Sequence, residues 1–342
     1  MIKILIGGSP CTFWSIARPK GRETKAEGMG WELFKNYIIA KEKFQPDIFL
    51  YENNVSASKQ IKEQIKKELG VDRTDARYIE IDSALVSAQS RKRFYVHNCG
   101  EVTPPADRGI LLPTILCDTT AREVVNVGEC ETVKKAIPKL VKKYGYLPEM
   151  FNAYNVSEIT SKTPTLSTGS MVTSSCATTI FTPTDKPTYA VKNGYIHIND
   201  EVYPTKLADG NYCIRQLFVE ESCRLQTLPD NYCRVATERQ ARKGTGNGWT
   251  AEVIIHILQN ALKSVPKSEE IVVLSMYDGI GTGRYCLDKM GFENIQYFAY
   301  ENDPCVIEIA TSNYPDIIQC GDAFALRNDD WALPCVPSEV AK

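Results

Sequence analysis

Two residues near the start of the chain carry side chains that are suited to covalent chemistry. Cys11 follows an apolar run at 2–6, which predicts a short buried strand, and the Gly-Gly-Ser-Pro sequence at 7–10 predicts its abrupt end. Glu52 follows a second predicted strand at 45–51. Because parallel strands share their polarity, both side chains are expected at one edge of a sheet, where open α/β folds bind their ligands. The thiol is a candidate nucleophile and the carboxyl a candidate general acid; an inert half-buried cysteine and a helix-capping glutamate are the simpler alternatives.

Two arginines follow a third predicted strand at 78–81. Arg91 and Arg93 are two residues apart, so in an extended segment their side chains point to the same face. Two guanidinium groups on one face suit a phosphate or a base carbonyl. The alternative is an edge strand that charged side chains protect from unwanted pairing.

A glycine loop near the end of the chain predicts a nucleotide-type cofactor. The strand predicted at 271–277 leads into Asp-Gly-Ile-Gly-Thr-Gly at 278–283 and then into a helix, an arrangement that cradles nucleotides. The G-x-G-x-G spacing disfavours a dinucleotide, because a pyrophosphate needs the glycines of G-x-G-x-x-G. S-adenosylmethionine fits better, with the glycines beside its methionine portion. Glu301, 23 residues after Asp278, would bind the ribose hydroxyls, and Asp322 would bind the adenine amine.

Composition limits the class of protein. The 342 residues favour one large and one smaller domain, and 43% hydrophobic and 24% charged residues are typical of a soluble globular protein. No apolar run of about 18 residues predicts a membrane span, and the N-terminus lacks the pattern of a secretion signal. The 12 cysteines form no Cys-x-x-Cys pair, which argues against a metal site and favours a reducing cytoplasm. With a net charge of −2, nucleic acid would have to bind to local basic patches.

The alternation of strands and helices stops at about residue 99. Prolines, Thr/Ser runs and short strand-like pieces follow, and they predict a small β-rich recognition domain at 99–232 between the halves of a large domain, 1–98 and 233–342. A polar, glycine-bearing segment at 12–31 predicts a solvated surface loop or, because its glycines would let it move, a lid loop. The glycines at 244–249 predict a tight backbone approach, and 263–270 reads as a linker.

Seven short motifs then coincide with those of one family. They are Gly8-Ser-Pro-Cys11 with Ser15; Glu52-Asn53; Gln89-x-Arg91-x-Arg93; Arg215 with Arg224-Leu-Gln226; Pro229-Asp230; Gly246-Asn247; and Tyr277-Asp-Gly-Ile-Gly-Thr-Gly283. In these motifs the sequence resembles the cytosine-C5 DNA methyltransferases. The residues of these motifs resemble most those of phage and bacterial enzymes that are similar to the eukaryotic de novo DNA methyltransferases, and Trp249 contributes to that likeness. Two departures, Asn54 for Val and Tyr277 for Phe, leave the chemistry intact.

The resemblance implies a fold and an unusual order. The fold is the α/β, Rossmann-like fold of S-adenosylmethionine-dependent methyltransferases, with a smaller β-rich target-recognition domain. The cofactor motifs here follow the last family motif instead of preceding the first. We therefore expect a circular permutation, with its join near 263–270, that leaves the first strand in the middle of the sheet.

The resemblance also implies an activity. A DNA (cytosine-5-)-methyltransferase transfers the methyl group of S-adenosylmethionine to C5 of a flipped cytosine in duplex DNA, through a covalent cysteine adduct. Cys11 would attack C6, Glu52 would act at N3, and Arg91 and Arg93 would bind O2 or a nearby phosphate. The implied cofactor-binding residues are Pro10, Asn247, Trp249, Tyr277, Asp278, Gly279, Gly281, Gly283, Glu301, Asn302 and Asp322. The implied DNA-binding residues are Ser15, Gln89 and Arg224.

Double-stranded DNA is the implied partner, in the cytoplasm of a bacterium or a phage-infected cell, with no metal and no membrane. A cognate restriction nuclease is an open alternative to an orphan enzyme. For the function, the alternatives are a tRNA cytosine-C5 methyltransferase and an inactive regulatory homologue. A dinucleotide oxidoreductase is disfavoured by the glycine spacing and by the other motifs.

Overall fold

The computed structural model describes residues 1–17, 20–119, 122–166, 177–186 and 188–334. Positions 18–19 of the predicted lid loop lie outside the described residues. The chain forms two compact units: the first comprises Met1–Asp82, Lys92–Ala106 and Ala251–Lys342, and the second Ser83–Arg91 and Asp107–Thr250. The domain limits at 98/99 and 232/233 stay predictions.

The first unit is built on a seven-stranded sheet with helices. Numbered along the whole chain, its strands are β1 (Ile2–Gly7), β2 (Ile48–Asn54), β3 (Arg77–Asp82), β4 (Lys92–His97), β12 (Ile271–Met276), β13 (Ile295–Tyr300) and β14 (Ile317–Gly321). Its helices are α1 (Met29–Phe44), α2 (Lys59–Glu68), α7 (Ala251–Leu262), α8 (Thr282–Lys289) and α9 (Pro304–Asn313).

The strand order is β14-β13-β12-β1-β2-β4-β3. The five strands from β14 to β2 are parallel, and β4 runs antiparallel to both of its neighbours. Ile4 pairs with Val273 on one side and with Ile48 on the other, so β1 lies inside the sheet as expected. Its apolar run is buried, as is usual for a parallel strand that is covered on both faces. The predicted α/β, Rossmann-like fold is confirmed.

The second predicted strand starts later than expected. Gln45 adopts a left-handed conformation and closes α1, with its N–H donating to the carbonyl of Lys41, so that β2 starts only at Ile48. As a consequence Glu52 lies within the last residues of β2 instead of after it. The next helix begins at Lys59 because the Ser58 hydroxyl accepts the N–H of Ile61 as an N-cap.

The second unit contains an antiparallel sheet, in agreement with the predicted β-rich character of this region. Its strand order is β10-β9-β8-β11-β7-β5-β6. The strands are β5 (Met150–Asn152), β6 (Ser157–Glu158), β7 (Thr179–Pro183), β8 (Tyr189–Lys192), β9 (Tyr195–Ile198), β10 (Glu201–Pro204) and β11 (Gly210–Arg215). The helices are α3 (Leu112–Ile115), α4 (Glu131–Tyr144), α5 (Val219–Leu225) and α6 (Glu238–Asn247).

The glycines predicted to form a tight backbone approach lie largely inside a helix. A capping box between Thr237 and Gln240 begins α6, and the N–H of Gly248 donates to the carbonyl of Gly244 at 2.8 Å. Gly244 and Gly246 are buried, so their lack of a side chain allows close packing of the helix end. These glycines therefore form the last turn of α6 and the short segment after it.

Candidate active site

The carboxyl ends of the parallel strands bring the predicted site residues of the first unit to one edge of its sheet. These residues are Pro10 and Cys11 after β1, Glu52 near the end of β2, Tyr277 to Gly283 after β12, Glu301 and Asn302 after β13, and Asp322 after β14. Ligands of open α/β sheets bind at this edge, outside the strand ends. The candidate nucleophile, the candidate acid and the glycine loop therefore lie at the same edge of the sheet.

Glu52 and Arg93 form a buried ion pair. The Arg93 Nε atom lies 2.9 Å from Glu52 Oε1, and only 8% and 12% of the two side chains are exposed. Arg93 enters from β4, where it pairs in register with Asn54 of β2, and its Nη1 donates to the carbonyl of Lys92 at 2.9 Å. A charge-assisted contact of this kind fixes the orientation of the carboxylate. The acid and one of the two predicted arginines are thus held side by side.

The loop that carries Cys11 packs directly on Glu52 through Gly8. A Cβ atom at Gly8 would lie 2.6 Å from the Glu52 carbonyl oxygen and 2.8 Å from Oε2, closer than such atoms normally approach. Glycine is therefore required there for the loop to rest on the acid. This contact fixes the distance between the two motifs more tightly than sequence reasoning could predict.

Three buried polar side chains, which we name the Ser9 cluster, tie this loop to β2. The hydroxyls of Ser9 and Tyr51 lie 2.8 Å apart, and Asn53 Nδ2 donates to the Ser9 carbonyl at 2.9 Å and to the Tyr51 hydroxyl at 3.1 Å. All three residues are at most 3% exposed. Buried polar groups that satisfy one another in this way rigidify a structure. The sequence signal for the cluster, a tyrosine directly before the Glu-Asn pair, was missed.

Cys11 begins a short helical turn, Cys11–Phe13, and is half-buried. Its carbonyl accepts the N–H groups of Trp14 at 3.0 Å and Ser15 at 2.9 Å, and Trp14 is fully buried. Ser15, predicted to contact DNA, is half-buried, and its hydroxyl accepts the N–H of Ala17 at 3.1 Å. The candidate nucleophile is thus held by a compact turn that is anchored by the buried indole of Trp14.

One acidic side chain fastens the described part of the segment after this turn. Glu23 accepts hydrogen bonds from the indole N–H of Trp14 at 3.2 Å and from the backbone N–H of Gly30 at 3.1 Å. The carboxylate therefore connects the two ends of the predicted lid segment. Sequence reasoning assigned the segment its place but not this contact.

Asp278 has an unusual environment on the cofactor side of the edge. Its Oδ1 accepts the hydroxyls of Ser275 and Tyr297, each at 2.7 Å. Its Oδ2 is buried and has no hydrogen-bond partner among the described residues. Burial, opposed by the two hydroxyls and supported by the neighbouring Glu301, raises the pKa of this carboxyl to about 6. A buried carboxylate oxygen of this kind is suited to bind a donor that a ligand supplies.

Glu301 is fixed by backbone amides. Its Oε2 accepts the N–H of Gly279 at 2.9 Å, and its Oε1 accepts those of Asn302 at 2.9 Å and Asp303 at 3.0 Å. Gly279 has a φ of 64° and nothing within 4 Å of the position of a Cβ, so the loop leaves open space beside this carboxylate. Asp322 is exposed and caps the turn Ala323–Arg327.

The remaining residues of the glycine loop have structural contacts. Tyr277 donates its hydroxyl to the carbonyl of Leu33 at 2.7 Å and accepts Asn36 Nδ2 at 3.2 Å, and burial raises its pKa. Gly281 has a φ of 77° and lies against Ala310. A Cβ at Gly283 would collide with the Ile6 side chain and would lie 2.5 Å from the Tyr297 hydroxyl, so packing alone requires this glycine.

These features fit S-adenosylmethionine. The buried Oδ2 of Asp278 matches a cationic donor, and the fixed carboxylate of Glu301 matches a pair of hydroxyls. The open space at Gly279 lies between them in the chain. Over the ranges that the structure describes, no cluster of three or more His, Cys, Asp or Glu side chains is arranged to bind a metal, and no helix is long and apolar enough to cross a membrane.

In the second unit, Gln89 and Arg91 make internal contacts. Gln89 is completely buried; its Nε2 donates to the Leu225 carbonyl at 3.1 Å, and its Oε1 accepts the N–H of Leu166 at 2.7 Å. Arg91 is 3% exposed, and its Nη2 donates to the carbonyls of Gly246 at 3.1 Å and Gly248 at 2.8 Å. Both side chains form hydrogen bonds with backbone groups of the second unit. The contacts with DNA that were predicted for them stay predictions.

The other predicted residues of the second unit lie near the end of α6 and of α5. Asn247, the last residue of α6, is exposed, and Trp249 is half-buried. The Arg224 guanidinium contacts Asp230 through Nε at 2.8 Å and Nη2 at 2.6 Å, and its Nη1 donates to the Ile115 carbonyl at 2.8 Å. Arg224 is therefore already held by an acid in the protein.

Comparison with known proteins supports one family. The family model described as C-5 cytosine-specific DNA methylase matches residues 1–263, a range that includes Cys11, Glu52 and both predicted arginines. A search of curated proteins returned no match. Members of the matched family use S-adenosylmethionine as methyl donor. The chain therefore belongs to the C-5 cytosine-specific DNA methylases, a family of cytosine-C5 methyltransferases.

Proposed function

We propose that this chain is an active DNA (cytosine-5-)-methyltransferase, with duplex DNA as its substrate. The observation that carries the proposal is the packing of the Cys11 loop on the Glu52–Arg93 pair, through Gly8 and the Ser9 cluster. An inactive homologue has no need for a buried acid, a fixed guanidinium and a half-buried thiol at the ligand-binding edge of one sheet. The description of the matched family supports DNA over tRNA.

Cys11, Glu52 and Arg93 each have a separate role at the cytosine base. C5 of cytosine is a poor nucleophile until a thiolate adds to C6, and Cys11 supplies that thiolate. The sulfur–carbon bond forms as the ring π-electrons move towards N3, where Glu52 stabilises the developing charge and shares a proton. Once C5 carries the methyl group, a base removes the C5 proton, that electron pair re-forms the C5–C6 double bond, and the Cys11 thiolate leaves. Arg93, held beside Glu52 at 2.9 Å, donates to the adjacent O2. A neighbouring acid and guanidinium match the adjacent N3 and O2 positions of one pyrimidine edge.

The glycine-loop residues bind the cofactor. When bound, S-adenosylmethionine supplies the methyl group for C5. Asp278 and Glu301 would hold its amino-acid and ribose portions, Tyr277 would contact the adenine ring, and Asp322 its amine. A stacked base cannot reach Cys11, so the cytosine must leave the duplex, and the segment at 12–31 would close over it.

The second unit supplies the target recognition in this proposal. Its β-rich sheet offers loops for the duplex, and Arg224 would exchange Asp230 for a phosphate. Gln89 and Arg91 would act through the backbone that they hold, at Leu225 and at 246–248. The target sequence is a property of loops that the motifs leave free to vary.

We also propose that the chain is a circularly permuted member of its family. Two observations support this. The cofactor strands β12 to β14 come last in the chain, but they join the same sheet as β1 because β12 pairs with β1. The family match ends at residue 263, where the connection at 263–270 begins. Permutation at an exposed connection leaves the packed sheet unchanged.

Methyl transfer and the base that it modifies can be tested together. DNA from cells that express the protein is sequenced after bisulfite treatment, and purified protein is offered tritiated-methyl cofactor with duplex DNA or with tRNA. We expect methylcytosine at a short recurrent DNA sequence and no transfer to tRNA. Transfer to tRNA alone would replace the DNA assignment, and transfer to neither would favour the inactive homologue.

The nucleophile is tested by Cys11→Ala, with Cys130→Ala as the matched control at another half-buried cysteine. Cys11→Ala should lose methyl transfer by more than about 1,000-fold and should no longer form a covalent complex with a duplex that carries 5-fluorocytosine. The control should form that complex at the wild-type rate. Binding of S-adenosylhomocysteine, measured by calorimetry, should be the same in all three proteins. Full transfer by Cys11→Ala would refute the assignment.

A further inference from the structure

We propose that Tyr297, with Ser275, is a positioning residue that aims Asp278 Oδ2 at the ammonium group of the cofactor's amino-acid portion. This inference rests on the proposed function, in which S-adenosylmethionine is the cofactor. Neither Tyr297 nor Ser275 belongs to the motifs that indicated the family. Both act, in this proposal, through Asp278 and touch neither the base nor the methyl group.

The geometry around the carboxylate is asymmetric. Two hydroxyls converge on Oδ1, from Ser275 in β12 and from Tyr297 in β13, both at 2.7 Å. Tyr297 is completely buried, so water does not compete for its hydrogen bond to Asp278. With Oδ1 held from two sides, the carboxylate cannot rotate about its axis without breaking a hydrogen bond to a charged group. Oδ2 is thereby kept in one direction.

The third glycine of the loop makes room for this arrangement. The Cβ of any other residue at Gly283 would lie 2.5 Å from the Tyr297 hydroxyl. The G-x-G-x-G pattern suggested that this glycine borders the cofactor. That contact stays a prediction. The missing side chain at Gly283 also gives the Tyr297 hydroxyl the room that it needs to reach Asp278.

Charge determines which ligand group Oδ2 can bind. The charged side chain that acts on Asp278 is Glu301, another acid, which also raises the pKa of Asp278. An ionised carboxylate buried beside an acid needs a positive donor. S-adenosylmethionine carries two positive groups, and only the ammonium has N–H donors, because the sulfonium has none. The ammonium is therefore the partner that both charge and hydrogen bonding select.

The proposal predicts a ligand-selective loss of affinity. S-adenosylhomocysteine carries the ammonium group, whereas 5′-methylthioadenosine lacks the whole amino-acid portion. Measured by calorimetry at pH 7.5, Tyr297→Phe should bind S-adenosylhomocysteine about 10-fold more weakly, since one hydrogen bond to a charged group is lost. Its affinity for 5′-methylthioadenosine should stay within about twofold of wild type. Ser275→Ala should show the same pattern and provides a second test if Tyr297→Phe does not fold.

Tyr300→Phe is the matched control. Tyr300 lies on the same strand and is also buried, but its hydroxyl contacts the indole N–H of Trp331 at 2.5 Å. The Tyr300→Phe variant should bind both ligands as wild type does.

The pH dependence of binding adds a readout that a merely structural role would not move. Wild-type affinity for S-adenosylhomocysteine should fall about 10-fold per pH unit below pH 6. Tyr297→Phe should shift the pH at which this fall begins upward, because the hydrogen bond that it removes lowers the pKa of Asp278.

Several outcomes would overturn the inference. Equal losses for the two ligands in Tyr297→Phe would show a general disturbance of the site, and no loss for either would show that the hydroxyl is not needed. A loss in Tyr300→Phe as large as in Tyr297→Phe would show a nonspecific effect. If wild type binds neither ligand, the proposed cofactor itself is wrong; if wild type binds both and the variants do not discriminate, only this inference fails.

Discussion

The Ser9 cluster gives the sharpest test of how the nucleophile is positioned. Tyr51→Phe removes one buried hydroxyl and leaves the ring, which packs edge-on against Phe34 and Tyr37 at centroid distances of 5.1 and 5.0 Å. The hydroxyl's bonds to Ser9 at 2.8 Å and Asn53 at 3.1 Å are lost.

Each of these bonds contributes about 0.5–1.5 kcal/mol, and the two partners still contact each other, so we expect the free energy of unfolding to fall by about 1–2 kcal/mol. A loop that is loosened to this extent presents Cys11 less often in the attacking geometry. If about 1.4 kcal/mol of that loss appears in the barrier, covalent attack slows about 10-fold. Affinity for S-adenosylhomocysteine should stay within about twofold of wild type, because the hydrogen bonds that are lost join the Cys11 loop to β2 and do not hold the glycine loop.

The assay is the rate of covalent complex formation with a 5-fluorocytosine duplex of the sequence identified by bisulfite treatment. Tyr37→Phe is the matched control, because it removes a hydroxyl of the same aromatic cluster that donates to the Leu5 carbonyl at 3.4 Å and not to the Ser9 cluster. The control should lose stability and keep the wild-type rate. A wild-type rate in Tyr51→Phe, or an equal slowing in Tyr37→Phe, would refute the positioning argument.

Two further predictions concern packing and pH. Gly8→Ala should slow covalent attack by about 10- to 100-fold and retain cofactor affinity, because the added Cβ would force the loop away from Glu52. A wild-type rate of adduct formation in this variant would contradict the close contact. Burial, together with the charge of Arg77, lowers the pKa of His97 to about 4. Because the imidazole binds its proton more tightly in the unfolded chain, acid favours unfolding. The free energy of unfolding should therefore fall by about 3 kcal/mol as the pH drops from about 6.5 to 4. Denaturant titrations at several pH values should show this loss in wild type and a smaller one in His97→Asn; identical pH profiles would exclude His97 as the cause.

The sheet could be predicted from sequence because its signals are local. Apolar runs at 2–6 and 271–276 gave strands that the structure confirms, and the position of β1 inside the sheet followed from the order of motifs. Strand boundaries were less predictable. The start of β2 depends on the left-handed cap at Gln45, which carries no glycine signal.

The candidate site could be predicted as a set of residues but not as a set of contacts. Cys11 and Glu52 could be predicted from their residue types and their positions after predicted strands. The roles of Tyr51, Glu23 and Tyr297 depend on hydrogen bonds to residues elsewhere in the sequence. Gly283 shows the same limit, because a pattern of glycines does not reveal which of them faces a ligand and which one a tyrosine. Long-range side-chain contacts are set by packing, and packing is not periodic.

The pairing of β1 with β12 has a consequence for the synthesis of the protein. The edge of β1 that pairs with β12 stays uncovered until Ile271, the partner of Ile2, has been synthesised. At about 5–20 residues per second, translation leaves the apolar edge of β1 unpaired for roughly 15 to 50 s. An uncovered, flat, apolar edge is a template for pairing with other chains. The nascent protein should therefore depend on chaperones that shield strand edges more than a relative whose neighbouring strands are translated together.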